Sequence, residues 1–426
     1  MNIETHEVFG VNTKINSYSY VDRGGLDLEL QRMSQRNKHI SLKGESKSGK
    51  SWIRQKNFPD ANVVQCRLGF DTKDIYTALL SELDISLTVS KTSSLEGKME
   101  LSGNGEVGWK LLAKAQAGVN ASFTKSGENA RSPVGKDIND LSFICSIISK
   151  SGRRVVIEDF HYLGFDTQRD MAHDLKALWD YGVFVTIVGV WVKRNYLTNL
   201  NPDLAGRITE VSIYWTPEDL TQVIEKGTES LKVTIGDDIK EKLIHDCFGN
   251  VGLLQSLVLE TLDHSKIERR QSNQQLADQI SHFDTAALTY AEQLEAVYLE
   301  FGRRVSSGIR KRKGSTNIYA YTMAAIFSSS DRELIDGVNV DTIFQRAQSR
   351  QRRVQKPNLK QILRRIDTLQ IDDRGKGLVV TFVEQSNSVA VVDRTVLFYR
   401  KYCTVNWPWE EIIRENTESG FEADES

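Results

Sequence analysis

The chain has 426 residues, 39% hydrophobic and 26% charged, with a formal net charge of −2. These values exclude a disordered chain and an overall polycation, and suggest roughly two or three domains. No apolar run approaches the ~18 residues of a membrane-spanning helix. Met1–Glu7 lacks the basic and apolar regions of a signal peptide, and Cys66, Cys145, Cys247 and Cys403 form no C-x-x-C pair. Reduced core thiols in a cytoplasmic protein are the expectation.

His39 to Lys43 reads as a short strand and Trp52 to Lys56 as the opening of a helix. Between them runs Gly44-Glu45-Ser46-Lys47-Ser48-Gly49-Lys50-Ser51. G-x-x-x-x-G-K-[ST] in that context is the pattern of a phosphate-binding loop. Its glycines let the backbone wrap a phosphate chain with its N–H groups inward. Lys50 brings a point charge to the β- and γ-phosphates, and the Ser51 hydroxyl can ligate Mg²⁺. The helix adds its positive N-terminal end.

Asn62 to Arg67 is a second strand. Val155-Val156-Ile157 ends in Glu158-Asp159 and is followed by Phe160-His161. Buried parallel strands read as apolar runs, and their C-terminal ends face the ligand crevice. One carboxylate there, Glu158, is placed to hold Mg²⁺, and the next, Asp159, to polarise an attacking water. Phe184–Val190 and Ile208–Tyr214 complete the strands. Met171, Leu175 and Leu178 fall at helical spacing within 167–180. Strands alternating with helices imply a parallel sheet with right-handed crossovers.

Residues 99–123 break this rhythm. Odd positions from Met99 to Phe123 are apolar or Gly, and even ones polar or Gly except Leu112. Period two means strand, and the length calls for a hairpin with an odd-numbered loop around Leu112. Three readings fit: a hairpin covering its own domain, one that assembles between subunits, and one that enters a membrane as part of a barrel. A helix over Trp109–Ala117 is a further alternative, since Leu and Ala favour helix. The flanks Ser90–Gly97 and Lys125–Gly135 read as flexible linkers.

Thr216-Pro217-Glu218-Asp219 is a helix start, with Thr at the cap and acids near the positive end. Helices follow at 217–231, 237–247 and 252–264. This chain resembles bacterial AAA+ and STAND-like P-loop ATPases, the group that includes origin-recognition-type initiators. The resemblance covers about residues 10–265 and is carried by Gly44–Ser51, Val155–His161 and Asp203–Ile208. It implies ATP and Mg²⁺ as cofactors, ATP hydrolysis and a homo-oligomer. It makes Arg207 a candidate arginine finger toward a neighbouring subunit, and places Tyr20–Arg23, with Arg23, against the adenine. Two departures stand out. Glu158 precedes Asp159, where such enzymes carry Asp-Glu or Asp-Asp. The shorter catalytic acid sits roughly an ångström farther from water, a misplacement that can cost about a hundredfold in rate. The strand ending at Val190 runs into Trp191, so the usual polar γ-phosphate sensor is missing.

Residues 266–300 read as a helical connector with one apolar stripe. Residues 301–365 carry 15 Lys+Arg against 4 Asp+Glu, including the block Arg310–Lys313. Helices at 319–328 and 340–347, a third opening at Pro357, and strands 377–383 and 388–393 make a winged helix. Its third helix would enter a major groove, with Arg352, Arg353, Lys360, Arg364 and Arg365 among the candidate DNA contacts. The charge run is also compatible with a solvated face. Phe398–Tyr402 and Trp407–Trp409 are expected to pack against this domain.

The expected architecture is thus α/β: an AAA+ P-loop parallel sheet over 1–215, with an inserted β-hairpin at about 90–135 and a helical lid at 216–265. A connector at 266–313, a winged-helix domain at 314–412 and a fraying acidic tail at 413–426 follow. The expected function is a slowly hydrolysing ATP switch that oligomerises and acts on or near DNA, in mobile-element or anti-phage biology, with any destructive effector on a separate chain. The alternative is a STAND-like signalling protein whose 99–123 hairpin mediates assembly or membrane insertion.

Overall fold

The computed structural model describes residues 2–90, 98–103, 110–111, 130–133, 140–307, 317–370 and 378–424. The chain divides into two compact units. One comprises Gly24–Gly44 and Lys50–Ile213, the other Met1–Arg23, Glu45–Gly49 and Tyr214–Ser426.

The first unit holds β1 (His39–Gly44), β2 (Asn62–Gln65), β3 (Ile85–Ser90), β4 (Lys98–Gly103), β5 (Ala130–Pro133), β6 (Val155–Glu158), β7 (Val185–Gly189) and β8 (Ile208–Ile213). Five of these form a parallel sheet in the order β2-β6-β7-β1-β8. β6 and β7 are buried at every position, as central strands covered on both faces must be. Alternate side chains feed two cores. Val155 and Ile157 join Met171 and Leu175 of the helix Phe165–Asp180, whereas Val156 joins Leu30 and Ile53 on the opposite face. The sheet and helices are those the alternating pattern implies.

His39 opens β1 and is fully buried. Its Nε2 donates to the Leu175 carbonyl at 2.8 Å and its Nδ1 accepts from the Val185 N–H at 2.9 Å. Both bonds fix one neutral tautomer. Burial, with the Arg154 charge adding to it, lowers its pKa to about 4.

The insertion is an antiparallel sheet of three strands, β3-β4-β5. Residues 99–103 are extended, as their alternation requires. Their neighbours are β3 and β5, not a second arm inside 99–123. The expected loop around Leu112 and the arm beyond it lie outside the described residues. The segments on either side are not simply linkers, since Ser90 ends β3 and Ala130–Pro133 is β5.

The second unit includes three consecutive helices, Pro217–Leu231, Asp237–Asp246 and Val251–His264. Thr216 and Asp219 form a reciprocal capping box at the first. β9 (Val233–Ile235) pairs in parallel with β10 (Gln275–Ala277), a pairing the sequence did not suggest. Within the expected connector, Gln275–Ala277 is β10 and Ile280–Ser307 is one helix, and Arg310–Lys313 lies outside the described residues.

Helices Ile318–Phe327 and Asp331–Asp336, β11 (Val338–Asn339), helices Val340–Arg350 and Lys356–Gln370, then β12 (Val380–Val383) and β13 (Ser388–Val391) follow. The strands pair antiparallel in the order β11-β13-β12. The short strand β11 and the helix Asp331–Asp336 add to the three helices and hairpin expected. Trp407 and Trp409 stack with centroids 4.5 Å apart and meet Phe327 and Tyr399, so the terminal aromatics pack inward as expected. Most of the expected tail, 413–426, falls within a helix, Pro408–Asp424. Pro408 fits its first turn, Glu410 and Glu411 sit near its positive end, and Trp409, 1% exposed, anchors it.

Candidate functional site: the phosphate loop and the acidic strand end

In the first unit the loop begins where β1 ends and resumes at the helix Lys50–Asn57. The Lys50 ammonium donates to the Gly44 carbonyl at 3.1 Å, so it reaches back to the glycine that opens the loop. Ser51 is exposed at the first turn of the helix. Gly49 has φ +85° and Lys47 φ +57°. These left-handed residues are the backbone form that turns successive N–H groups to one side.

Glu158 closes β6 and is 8% exposed. Its Oε1 accepts from Arg54 Nε at 3.1 Å, one turn into the phosphate-loop helix. Asp159 leaves the strand at φ +57°, ψ +32°. Asp tolerates that region better than most residues, yet it still costs on the order of 1 kcal/mol. Its Oδ2 accepts from Gln65 Nε2 at 3.0 Å, which ties it to the end of β2.

His161 follows two residues later. Burial lowers its pKa to about 4, with the charge of Asp159 pulling upward and that of Lys50 downward. Lys50, Asp159 and His161 therefore share one electrostatic neighbourhood. The His161 Nδ1 is buried with no hydrogen-bond partner among the described residues. Trp191, past the end of β7, folds its ring back over Gly189, where a Cβ would lie 2.1 Å from the ring. It meets Phe160 edge-on at 6.4 Å. Its buried Nε1 also lacks a partner among the described residues. The strand end expected to lack a polar sensor thus carries one N–H donor.

Arg207 lies elsewhere. Its carbonyl accepts from His39 N at 2.9 Å, which puts it at the start of β1 and β8, the sheet edge opposite Gly44. Its guanidinium stands 4.8 Å over Trp179 and donates to the Asp203 carbonyl at 2.5 Å. The fold does not bring it to the chain's own Lys50, Glu158 and Asp159.

In the second unit the middle of the loop is held from outside it. Trp215 Nε1 donates to the Ser48 carbonyl at 3.0 Å, Asn250 Nδ2 to that of Ser46 at 2.9 Å, and Gly252 N to that of Lys47 at 3.0 Å. Arg394 Nε lies 2.5 Å from Glu45 Oε1. Arg23 is buried, its guanidinium 4.0 Å over Trp215 and its Nη1 3.7 Å from where a Cβ on Gly49 would be. Arg23 therefore reaches the loop, whereas the resemblance sets it against the adenine.

Sequence reading missed Arg54, Gln65, His161, Trp215, Asn250 and Arg394. Only His161, two residues past the paired acids, carried a local signal. The loop, its lysine and its helix end fit a phosphate chain, and Ser51 with Glu158 supplies the hard oxygen donors that Mg²⁺ prefers. Among the described residues no cluster of His, Cys, Asp and Glu offers a separate metal cage.

On the second unit's surface, Arg346, Arg350, Lys356 and Arg364 are paired with Glu333, Glu410, Asp341 and Glu384. Arg352, Arg353 and Arg365 are exposed and Lys360 half-exposed, with no ion pair to a described residue.

No family model matches the sequence, and no curated protein matches it. Among solved structures, the Walker-type ATPase PABY2304 of Pyrococcus abyssi aligns over 92% of this chain and 99% of its own, with TM-score 0.53 and 14% identity. The Aeropyrum pernix ORC1 protein in complex with DNA covers 90% of this chain and 92% of its own, at TM-score 0.38 and 11% identity. A STAND protein with a tetratricopeptide repeat sensor, PH0952 of Pyrococcus horikoshii, covers 96% of this chain and 45% of its own, at TM-score 0.38 and 14% identity. The last two scores are too low to argue a shared fold. The parallel sheet and the first alignment agree on one conclusion: this chain has the fold of a Walker-type P-loop ATPase.

Proposed function

We propose that the chain is an ATP-binding switch that hydrolyses its nucleotide slowly. The observation that carries this reading is the 3.1 Å bond from Arg54, one turn into the helix that Lys50 opens, to Glu158, which ties the acidic end of β6 to the helix that follows the phosphate loop. The loop N–H groups and Lys50 would bind the β- and γ-phosphates. Arg23 would lie toward the adenine. Ser51 and Glu158 would hold Mg²⁺, which when bound neutralises phosphate charge. Asp159 would accept the proton of the attacking water at its carboxylate. Its left-handed backbone and its bond to Gln65 fix that carboxylate at the strand end, and the short reach of an aspartate there supports a slow step.

Arg207, remote from its own loop, would serve a neighbouring copy, so nucleotide would drive assembly. The C-terminal helices and the β11-β13-β12 sheet follow the order of a winged helix. Arg352, Arg353, Lys360 and Arg365, which make no ion pair to a described residue, support contact with nucleic-acid phosphates. Asp159→Asn tests the catalytic assignment: it should trap bound ATP and hold the assembled form in size-exclusion chromatography. An undiminished hydrolysis rate would remove Asp159 from its role.

A further inference from the structure

Glu45 puts a carboxylate into a loop built to receive an anion. A triphosphate arriving there would meet like charge, which disfavours binding. Arg394 answers that charge. It stands just after β13, at the start of the helix Thr395–Tyr402, with Nε 2.5 Å from Glu45 Oε1. Both side chains are about three-quarters buried, 26% and 22% exposed, so water screens the pair only in part.

The arginine is aimed, not draped. Its Nη1 donates to the Phe248 carbonyl at 2.9 Å. Phe248 and Gly249 both adopt positive φ, +51° and +76°, and a Cβ on Gly249 would sit 2.9 Å from that same Nη1. The turn thus presents a carbonyl and leaves room for the guanidinium. Asn250, next in the turn, holds the Ser46 carbonyl, and Gly252 N holds that of Lys47. One turn therefore fixes both the loop backbone and the cation that faces its acid.

We propose that Arg394 is a positioning residue of the nucleotide site: it cancels the Glu45 charge, so that phosphate-loop affinity depends on the start of the helix Thr395–Tyr402, which Arg394 caps. The inference rests on the reading that the loop binds adenine nucleotide.

The test is a charge cycle on the full chain, titrating Mg·ADP and Mg·ATPγS by calorimetry. Arg394→Ala uncovers Glu45 and weakens binding by about tenfold, the equivalent of about 1.4 kcal/mol. Glu45→Gln leaves Arg394 as an extra cation beside the loop and tightens binding. The double variant returns to within about threefold of wild type. Arg394→Lys, with its charge kept, stays closer to wild type than Arg394→Ala and controls for folding, which circular dichroism checks. A double variant as weak as Arg394→Ala would overturn the proposal, because the arginine would then act on the phosphates directly or through the fold. Unchanged affinity in Arg394→Ala, with Lys50→Ala still abolishing binding, would overturn it while sparing the nucleotide-binding reading. Absence of binding in the wild type would sink both.

Discussion

Replacing Arg54 by methionine removes the cation that holds Glu158. The two groups are 3.1 Å apart, with side chains 16% and 10% exposed. Methionine keeps the length and apolar stem of arginine but leaves a carboxylate largely out of water without its partner. Breaking a buried pair from one side costs about 3–5 kcal/mol. Partial exposure and residual water place this pair lower, at about 2–3 kcal/mol. Most of that loss is the orphaned charge, so Arg54→Met combined with Glu158→Gln should regain about 1–2 kcal/mol. A chain with separate cores need not unfold in one step. Hydrogen exchange of the β6 amides in graded urea would therefore follow the unit that contains the pair. A loss under about 1 kcal/mol, or a double variant no better than Arg54→Met, would show that Glu158 is held by something else.

Two further outcomes follow from the same geometry. If the four cations Arg352, Arg353, Lys360 and Arg365 meet phosphates, duplex DNA retention should fall with a log–log salt slope of about −3.6. Changing all four to Ala should flatten that slope, and retention unaffected by the change would remove this surface from the account. His39 has its pKa lowered to about 4 in the fold against 6.5 when unfolded. Between those values the unfolded chain binds more protons, so stability rises with pH across the window. Stability present above about pH 6.5 should fall by about 2 kcal/mol by pH 5 and stop falling on this account below about pH 4. The same amide-exchange measurement at pH 7 and pH 5 reads it, and a His39→Gln variant should lose this component. An equal pH slope in that variant would assign the effect to other groups.

The parallel sheet was legible because central strands advertise themselves: Val155–Ile157 and Val185–Gly189 are apolar runs with glycine or acid at their ends. The helix Pro217–Leu231 was legible through Thr216, Pro217 and Asp219, a cap written in adjacent residues. The site was legible only where its chemistry is local, at Gly44–Ser51 and Glu158–Asp159. Arg54 is one more basic residue on a helix until β6 places Glu158 beside it. Arg394 has no pattern at all around it, since its meaning comes from Glu45 and from the Phe248–Gly249 turn. The strands flanking 98–103 were obscured by the long alternation that follows, which pointed to a hairpin inside one segment. The helix Pro408–Asp424 was hidden by its acidic residues, which suggest solvent, while Trp409 is what packs its first turn.

The direct measurement is calorimetry of the pure 426-residue chain with Mg·ATP, beside Lys50→Ala. Saturable one-site uptake by the wild type, lost in Lys50→Ala, is the predicted result. A folded wild type that takes up no nucleotide, or a variant that takes it up equally well, would contradict the assignment of the Gly44–Ser51 loop.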